Sequence, residues 1–502
     1  MLLFIILAYF ALLLGIAFYT SRHSNNESFF IGNRKSNWLL VSFGMIGTSL
    51  SGMTFISVPG TVGKGGLEYF QVAIGYWLGY FIVAYVLLPV YYRMQLTSIY
   101  TYLEARLGIN AYKTGALFFI LSRTLGATLR LYLVIKVLEA FVLQGMGISF
   151  ELTAIVILAL IVLYTLRGGV KTIVWTDTLQ TTFMLSALVI VVVYMLREMG
   201  LDISSLWASM KEHNYTHLFV TDYHKPGFFL KQVIGGAFIT VAMTGLDQEM
   251  MQKNISVSNL RDAKKNMLLF GFVQMVVVFI FLLLGALLYL YAGSRGMDAA
   301  GDALFPTIAV QSGLPFFITV IFLIGLVSAL FPSADGALTA LTSSFCIDIL
   351  GLKRRNDWDE QKKAQVRYRV HFTFSAVFLL FIFFFREVDN GSLIAILLKV
   401  AGFTYGPLLG LFAFGILTRR VLKGNTAFAL CLTALLLTLG LDLLNNPEFY
   451  NKDTSGYIAQ SLIKASARYC GNYKIGIELL IINAALTFGL LYACSKKPAT
   501  VV

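Results

Sequence analysis

The chain has 502 residues, of which 58% are hydrophobic and only 13% are charged, and its mean hydropathy is +0.76. Soluble proteins carry about 25% charged residues, so this composition excludes an ordinary soluble domain and predicts an all-α polytopic membrane protein. The formal net charge is +13, but lysine and arginine are spread over short loops between apolar runs, which argues against a nucleic-acid partner.

Apolar runs long enough to cross a bilayer core of about 30 Å recur along the whole chain. We predict about 13 spans and treat residues 1–502 as a single transmembrane transporter domain. Residues 1–20 lack the basic start and the cleavage site of a signal peptide, so we expect them to form the first span. The predicted spans are 1–20, 38–60, 67–92, 114–142, 149–166, 173–196, 228–246, 266–292, 313–350, 370–385, 392–418, 425–444 and 475–494.

The loops between these spans divide their positive charge unevenly. Loops that follow odd-numbered spans, together with the C-terminal tail, hold more than twice as many lysine and arginine residues as the opposite loops. The positive-inside rule places the richer set in the cytoplasm. We therefore expect an integral protein of the plasma (inner) membrane, with its N-terminus outside and its C-terminus cytoplasmic. The basic loop 351–369 would touch anionic lipid headgroups.

Two predicted spans contain residues that interrupt helices. The second, VSFGMIGTSLSGMTFISVPG (41–60), carries Gly44, Gly47 and Gly52, which weaken the helix, and Pro59, which we expect to break it. The seventh carries a Gly-Gly pair at 235–236. The two interruptions lie five spans apart, and an odd number of spans inverts the second copy of a repeat. Broken helices at matching positions of inverted repeats indicate a transporter's binding site. We predict a first repeat over 38–196 and a second over 228–418.

The ninth predicted span has a polar centre, FPSADGALTALTSSF (331–345). A hard monovalent cation binds oxygen, and the Ser333 hydroxyl facing carbonyls freed in the second span would supply it without a buried net charge. Asp335 is a candidate functional residue because a carboxylate at membrane depth is costly. A structural role, accepting hydrogen bonds from neighbouring backbone N–H groups, is the alternative.

Arginines inside the fourth predicted span leave two interpretations open. Arg123 and Arg130 lie seven residues apart on one helix face. They would either meet an anionic substrate, or pair with carboxylates or extend toward the membrane surface. Lys399 in the eleventh predicted span is similarly ambiguous.

Motifs for other chemistries are missing from the sequence. The four cysteines form no CxxC pair, and there is no GxxxxGK[ST], HExxH or GxGxxG segment. We therefore expect no ATP-driven pumping, no enzymatic activity, no cofactor and no obligate protein partner.

Five segments, in order along nearly the whole chain, resemble the sodium:solute symporter (sodium/glucose cotransporter-like) family. The segments are ESFFIGNRKSNW (27–38), LTSIYTYLEARLG (96–108), RGGVKTIVWTDTLQ (167–180), TGLDQEMMQKN (244–254) and FTYGPLLGLFAFGILTRR (403–420). The resemblance implies a LeuT-type fold, an inverted five-plus-five core with one span before it and two after. It also implies that sodium drives uptake of a small organic solute, such as a sugar, sialic acid or carboxylate, by alternating access.

Carried onto this sequence, the family's main sodium site would use the carbonyls of Gly47, Leu50 and Ala329 and the hydroxyl of Ser333. Family members usually offer a second hydroxyl just before that serine, whereas this chain has Pro332. We therefore expect this site to have fewer hydroxyl ligands.

Some family members bind a further sodium ion at a carboxylate that matches Asp177. Asp335 could join such a site here, although Gly336 replaces a hydroxyl common there. Helix capping beside Thr176 is the alternative role for Asp177.

The resemblance places solute contacts in the interrupted second span and the span after it. The predicted solute-binding residues are Ser49, Ser51, Thr54, Tyr69 and Gln71.

Other functions remain as alternatives. A proton-coupled symporter or a sodium-dependent sensor would have the same fold. A more remote alternative is an intramembrane aspartyl enzyme that uses Asp177 and Asp335. Such enzymes carry YD and GxGD motifs, whereas the flanking residues here read TD and SAD.

Overall fold

The computed structural model describes residues 2–21, 36–355, 357–388, 393–422, 424–450, 457–471 and 473–497. Helices make up nearly all of these ranges, so the expected all-α class is confirmed. Most of the 27–38 motif lies outside the described residues. The helices are α1 (Leu2–Ser21), α2 (Trp38–Ser49), α3 (Gly52–Gly65), α4 (Phe70–Ile82), α5 (Leu88–Arg93), α6 (Thr101–Leu107), α7 (Ile109–Leu138), α8 (Phe150–Glu198), α9 (Ile203–Glu212), α10 (Phe229–Thr240), α11 (Gln248–Ile255), α12 (Leu260–Ser294), α13 (Leu304–Gln311), α14 (Phe316–Ser344), α15 (Glu360–Val388), α16 (Leu393–Leu417), α17 (Ala427–Asn445), α18 (Pro447–Tyr450), α19 (Tyr457–Cys470) and α20 (Leu479–Ala493).

Shorter elements join some of these helices. Two strands, β1 (Val421–Leu422) and β2 (Ser495–Lys496), pair antiparallel. Turns of π-helix follow α4, α7, α10 and α14 at Val83–Leu87, Glu139–Leu143, Val241–Gly245 and Phe345–Ile349.

Each predicted span coincides with a described helix. Fewer of these helices are both long enough and apolar enough to cross a membrane. Within the described ranges, seven helices are long and apolar enough to cross, or up to ten if each bent pair is counted as one span. The predicted count of 13 is therefore not confirmed. One reason is length, since the 15 residues of α20 rise only about 22 Å.

Helix α8 differs from the sequence prediction. Its helical backbone runs from Phe150 to Glu198, so no break separates the predicted spans 149–166 and 173–196. A glycine pair inside a helix costs about 1 kcal/mol per residue but does not remove a hydrogen bond, as proline does. The part from Thr172 to Glu198 is by itself long and apolar enough to cross a membrane.

The two predicted helix interruptions are present. Helices α2 and α3 are bent by 59° at Leu50–Ser51, and the segment Phe229–Gly245 is bent by 65° relative to α11. We call these pairs the first and second broken spans. Pro59 does not cause the first break as predicted, because it lies inside α3. The chain leaves the helix at Leu50, where ψ is 80°, and Ser51 is extended with ψ of 174°.

Helices α14 and α16 occupy the centre of the molecule. The most apolar stretch of each is 72% buried inside the protein, whereas that of α17 is 28% buried. His371 of α15 joins the interior to two neighbouring helices, because its ring nitrogens lie 3.0 Å from the hydroxyls of Thr165 in α8 and Thr342 in α14. The polar face of α14 is therefore turned toward protein, as its sequence requires.

The long connections 197–227 and 445–474 contain the short helices α9, α18 and α19. Asp202 caps α9 by accepting hydrogen bonds from the hydroxyl and the N–H of Ser205. These bonds to the ionised carboxylate lower the pKa of Asp202 to about 2.

Glycines hold the second broken span against α4. A methyl group built on Gly75 would lie 2.3 Å from the carbonyl oxygen of Val233, and one on Gly236 would lie 2.6 Å from that of Val72. Both obstacles are backbone atoms, which cannot rotate away. The two helices therefore approach through small residues, as is usual between membrane helices.

We expect Gly75→Ala to lower the free energy of unfolding by about 1 to 3 kcal/mol, because the added methyl overpacks a backbone contact. Thermal unfolding of the purified protein in detergent would measure the loss. Gly489→Ala in α20 is the matched control, because nothing lies within 4 Å of a methyl built there. Equal melting temperatures for both variants would contradict the close approach.

Candidate functional site

The first broken span lies directly beside α14. A methyl built on Gly47 would lie 3.5 Å from Pro332 Cγ, and one on Gly52 would lie 3.9 Å from Leu326 Cδ1. The break at Leu50 is thus opposite the turn of α14 that lies between Leu326 and Pro332, which contains Ala329. The structure therefore brings the predicted sodium-site segments 47–50 and 329–333 side by side.

Both segments expose backbone oxygen at this place. One helix ends at Ser49 and the next begins at Gly52. The carbonyls of residues 47–50 therefore lack the N–H groups that would bond them in a continuous helix. Pro332 has no N–H, so the Ser328 carbonyl loses its helical donor as well. The buried Ser333 hydroxyl donates to the Leu330 carbonyl at 2.9 Å. An uncharged group of oxygens of this kind suits a hard monovalent cation.

Thr181 adds a hydroxyl that sequence reasoning missed. Its Oγ1 would lie 2.2 Å from a methyl built on Gly47. The atom is buried and has no hydrogen-bond partner among the described residues. An unsatisfied buried oxygen next to freed carbonyls fits a bound cation. Thr181 follows Gln180 in the 167–180 motif, so the motif could have indicated its position but not its contact with Gly47.

A cavity of about 90 Å³ adjoins the break. Four of the five predicted solute-binding residues, Ser49, Ser51, Thr54 and Tyr69, line it. Sequence reasoning did not assign Tyr76, Tyr80 or Gln274 to it, although all three are lining residues. The Tyr80 hydroxyl donates a hydrogen bond to Gln274 Oε1. Together these side chains give one polar and aromatic chamber.

Gln71 is not part of this chamber. Its amide donates to the Glu68 and Gly227 carbonyls at 3.0 and 3.3 Å, and its oxygen accepts from the Val220 N–H at 3.3 Å. It lines a neighbouring cavity of about 750 Å³, which we call the vestibule. Tyr69 lines both cavities and so lies between them.

Arg123 and Arg130 both line the chamber, but their surroundings differ. Arg123 pairs with Glu249 and lies 3.9 Å from Asp247. Asp247 also accepts a hydrogen bond of 2.7 Å from the Tyr405 hydroxyl. Arg123 is thus neutralised by a fixed network, which supports the pairing interpretation for this residue.

Arg130 has no such network. It is 9% exposed, and its Nε has no hydrogen-bond partner in the part of the chain that the structure describes. No described carboxylate lies within ion-pair distance of it. A buried guanidinium without a paired charge is costly, so the chamber presents positive charge that an anion would neutralise.

Asp177 is buried beside the first broken span and is paired with a lysine. Its Oδ2 lies 2.6 Å from Lys253 Nζ and accepts from the Thr48 hydroxyl at 3.2 Å. Its other oxygen, Oδ1, has no partner among the described residues. Capping at Thr176 is not its role, because Asp177 lies inside α8.

Lys253 follows the seventh predicted span, so we expected it in a basic loop at the membrane surface. It lies on α11 and is only 3% exposed. The reason is charge, since Asp177 and Glu249 both attract its ammonium. A signal was present, because Glu249 and Lys253 are spaced four apart on a polar helix that directly follows a break.

Asp335 is fully buried in α14. It accepts a hydrogen bond from the Gly336 N–H and interacts electrostatically with Lys253. The backbone bond agrees with the structural alternative. The nearby ammonium places Asp335 at the edge of the group formed by Lys253, Asp177, Thr48 and Glu249, which we call the Asp177 cluster. Lys399, the other ambiguous cation, pairs with Asp442 at 2.8 Å, away from the chamber.

Comparison with known proteins identifies the chain's relatives. The family model for the sodium:solute symporter family matches residues 29–432. The sodium/sialic acid symporter SiaT of Proteus mirabilis (strain HI4320) is 24% identical over 82% of this chain and 84% of its own length. The sodium-coupled monocarboxylate transporter 2 of Danio rerio is 26% identical over 78% of this chain, but the match covers only 63% of that protein.

Solved structures agree with the fold. A Na⁺-coupled sialic acid symporter in a substrate-bound, outward-open state superposes with a TM-score of 0.80 at 19% identity, covering 99% of both chains. The nucleobase-cation-symport-1 family transporter Mhp1 gives a TM-score of 0.56 at 13% identity over 94% of both chains. The expected LeuT-type fold is thus confirmed. Because the family model covers more than half of the sequence, the chain belongs to the sodium:solute symporter family.

Proposed function

We propose that this symporter couples inward sodium flow to the uptake of a small organic anion, with a carboxylate held by Arg130. The observation that carries this proposal is the contrast between the two arginines of the chamber. Arg123 is paired with Glu249 and Asp247, whereas no described carboxylate lies within ion-pair distance of Arg130. The planar guanidinium can bind both oxygens of a carboxylate at once.

Sodium would bind at the junction of the first broken span and α14. Its ligands would be the carbonyls of Gly47, Leu50 and Ala329 and the Ser333 hydroxyl. Thr181, whose hydroxyl lies beside Gly47, would replace the hydroxyl that Pro332 cannot offer. The solute would contact Ser49, Ser51, Thr54 and Tyr69 in the adjoining chamber, so ion and solute would share the residues of one break.

The chamber favours a compact solute. Its volume of about 90 Å³ is small beside the roughly 300 to 1,000 Å³ of pockets for drug-sized ligands. A short-chain carboxylate would fit within it, whereas a sugar acid would need to extend past Tyr69 into the vestibule. The names of the relatives support an anion, since they include a sialic acid symporter and monocarboxylate transporters.

The orientation follows from the charge of the loops. With the N-terminus outside and the C-terminus cytoplasmic, α3 would run toward the outer surface and the vestibule would open outward. Sodium would favour this outward-open state, and rocking of the core would then release both ligands inward. Such a shift requires that the ligands bind the two states with different affinities.

Uptake into proteoliposomes would test the coupling. The purified protein would be given a panel of radiolabelled solutes, including short monocarboxylates, sialic acid, glucose and neutral amino acids. We expect accumulation of a carboxylate with an inward sodium gradient and none with potassium in its place. Equal uptake in both gradients, or preference for a neutral solute, would overturn the proposal.

We expect Arg130→Gln to weaken the apparent affinity for the carboxylate by roughly 30- to 1,000-fold, equivalent to about 2 to 4 kcal/mol for a lost buried charge pair. Concentration-dependent uptake in proteoliposomes would measure it. Arg386→Gln is the control, because Arg386 pairs with Glu151 at an exposed site. Unchanged affinity in Arg130→Gln would remove the arginine from the solute site.

We expect Ser333→Ala to raise the sodium concentration for half-maximal uptake about tenfold, since a lost ligand to a charged group costs about 1.5 kcal/mol or more. Ser375→Ala is the matched control. The Ser375 hydroxyl also bonds a carbonyl of its own helix, at 2.8 Å, but lies on α15 away from the break. A similar sodium dependence in both variants would count against Ser333 as a ligand.

A further inference from the structure

The Asp177 cluster already contains a cation. Lys253 Nζ lies 2.6 Å from Asp177 Oδ2, 2.6 Å from Thr48 Oγ1 and 3.5 Å from Glu249 Oε1. An ammonium has three donors and no acceptor, so these three oxygens satisfy it completely. These contacts occupy Asp177 Oδ2 and the Thr48 hydroxyl, so two of the oxygens that a metal ion would need at this place are already bound by a side chain. Asp177 Oδ1 has no partner among the described residues.

The neighbouring turn of α14 is shaped to admit this lysine. A methyl built on Gly336 would lie 2.1 Å from Glu249 Oε1 and 3.2 Å from Lys253 Nζ. A side chain at position 336, with or without a hydroxyl, would therefore displace the Glu249 carboxylate and crowd the Lys253 ammonium. Pro332 likewise brings no hydroxyl to this part of the helix. The ammonium thus lies beside a part of α14 that offers no hydroxyl at positions 332 and 336.

Three helices meet at the ammonium. Thr48 belongs to the first broken span, Lys253 to the second, and Asp177 to α8. All three side chains are 3% exposed or less. Because water is excluded, an ionised Asp177 must be balanced by a cation that is always present or by one that binds in each cycle.

We propose that the Lys253 ammonium takes the place of a second coupling ion at Asp177, so that the chain binds a single sodium ion, at the first break. This inference rests on the proposed sodium-driven function. A cation that is covalently part of the protein balances Asp177 but does not leave with the solute. It therefore contributes to the stability of the site and nothing to the driving force.

Counting bound sodium ions tests this directly. Equilibrium binding of ²²Na⁺ to the purified protein in detergent, with potassium as the background salt, gives the number of ions per chain. We expect one for the wild type and a Hill coefficient of about 1. In Lys253→Met, which has similar length but no charge, Asp177 is left without its cation, and we expect a second ion. Lys253→Arg retains a cation and should bind one.

A second variant decides the matter if Lys253→Met does not fold. Asp177→Asn removes the carboxylate, and we expect it still to bind one ion, because Asp177 holds the lysine and not sodium. The double variant Lys253→Met/Asp177→Asn removes both charges together and should also bind one. Circular dichroism and gel filtration would confirm that each variant is folded.

Two results would overturn the inference. One is a folded Lys253→Met variant that binds no more sodium than the wild type. The other is the loss of one ion in Asp177→Asn relative to the wild type. Failure of the proposed function is distinguishable, because it would appear as a wild type that binds no sodium at all. Even then, a gain of one ion in Lys253→Met would support the role of the lysine.

Discussion

The break in the helix at Leu50 and Ser51 is the feature on which the rest of the site depends. Backbone polar groups inside a membrane cannot be left to lipid, because each unsatisfied group costs several kcal/mol. The break is tolerated only because α14 and α8 cover it with their own polar residues, among them Ser333 and Thr181. The polar residues at the centre of α14 would be unfavourable against lipid. Here they are buried beside the break in the first broken span.

Buried charge imposes the second constraint. The second broken span and α7 bring three cations, Lys253, Arg123 and Arg130, close to the chamber. Two of them are paired with carboxylates, and Arg130 faces the chamber. The fixed pairs join helices to one another. Under the proposed function, Arg130 would be the one charge of the three that binds the ligand, so the residue that selects the solute would be distinct from those that stabilise the fold.

Much of this arrangement could be predicted from the sequence, because glycine clusters and hydroxyls inside apolar runs are visible without a structure. The all-α membrane class and the two breaks were predicted from such patterns, whereas the LeuT-type fold was expected from the family resemblance. The burial of Lys253 was missed, because its partner Asp177 lies 76 residues away and the spacing of Glu249 and Lys253 indicates only a helix, not a buried one. Gln71 illustrates the same limit, since its hydrogen bonds to a distant connection hold it outside the chamber.

The pairing of Lys253 with Asp177 also bears on the electrical behaviour of transport. Moving one elementary charge through 100 mV yields about 2.3 kcal/mol. Under the proposed stoichiometry, one sodium ion would cross with one monovalent anion, and their charges would cancel. Such a cycle would be electroneutral, so the membrane voltage would neither drive nor oppose it. The attainable accumulation would then equal the ratio of sodium concentrations across the membrane, and depolarised cells would take up the solute as well as polarised ones.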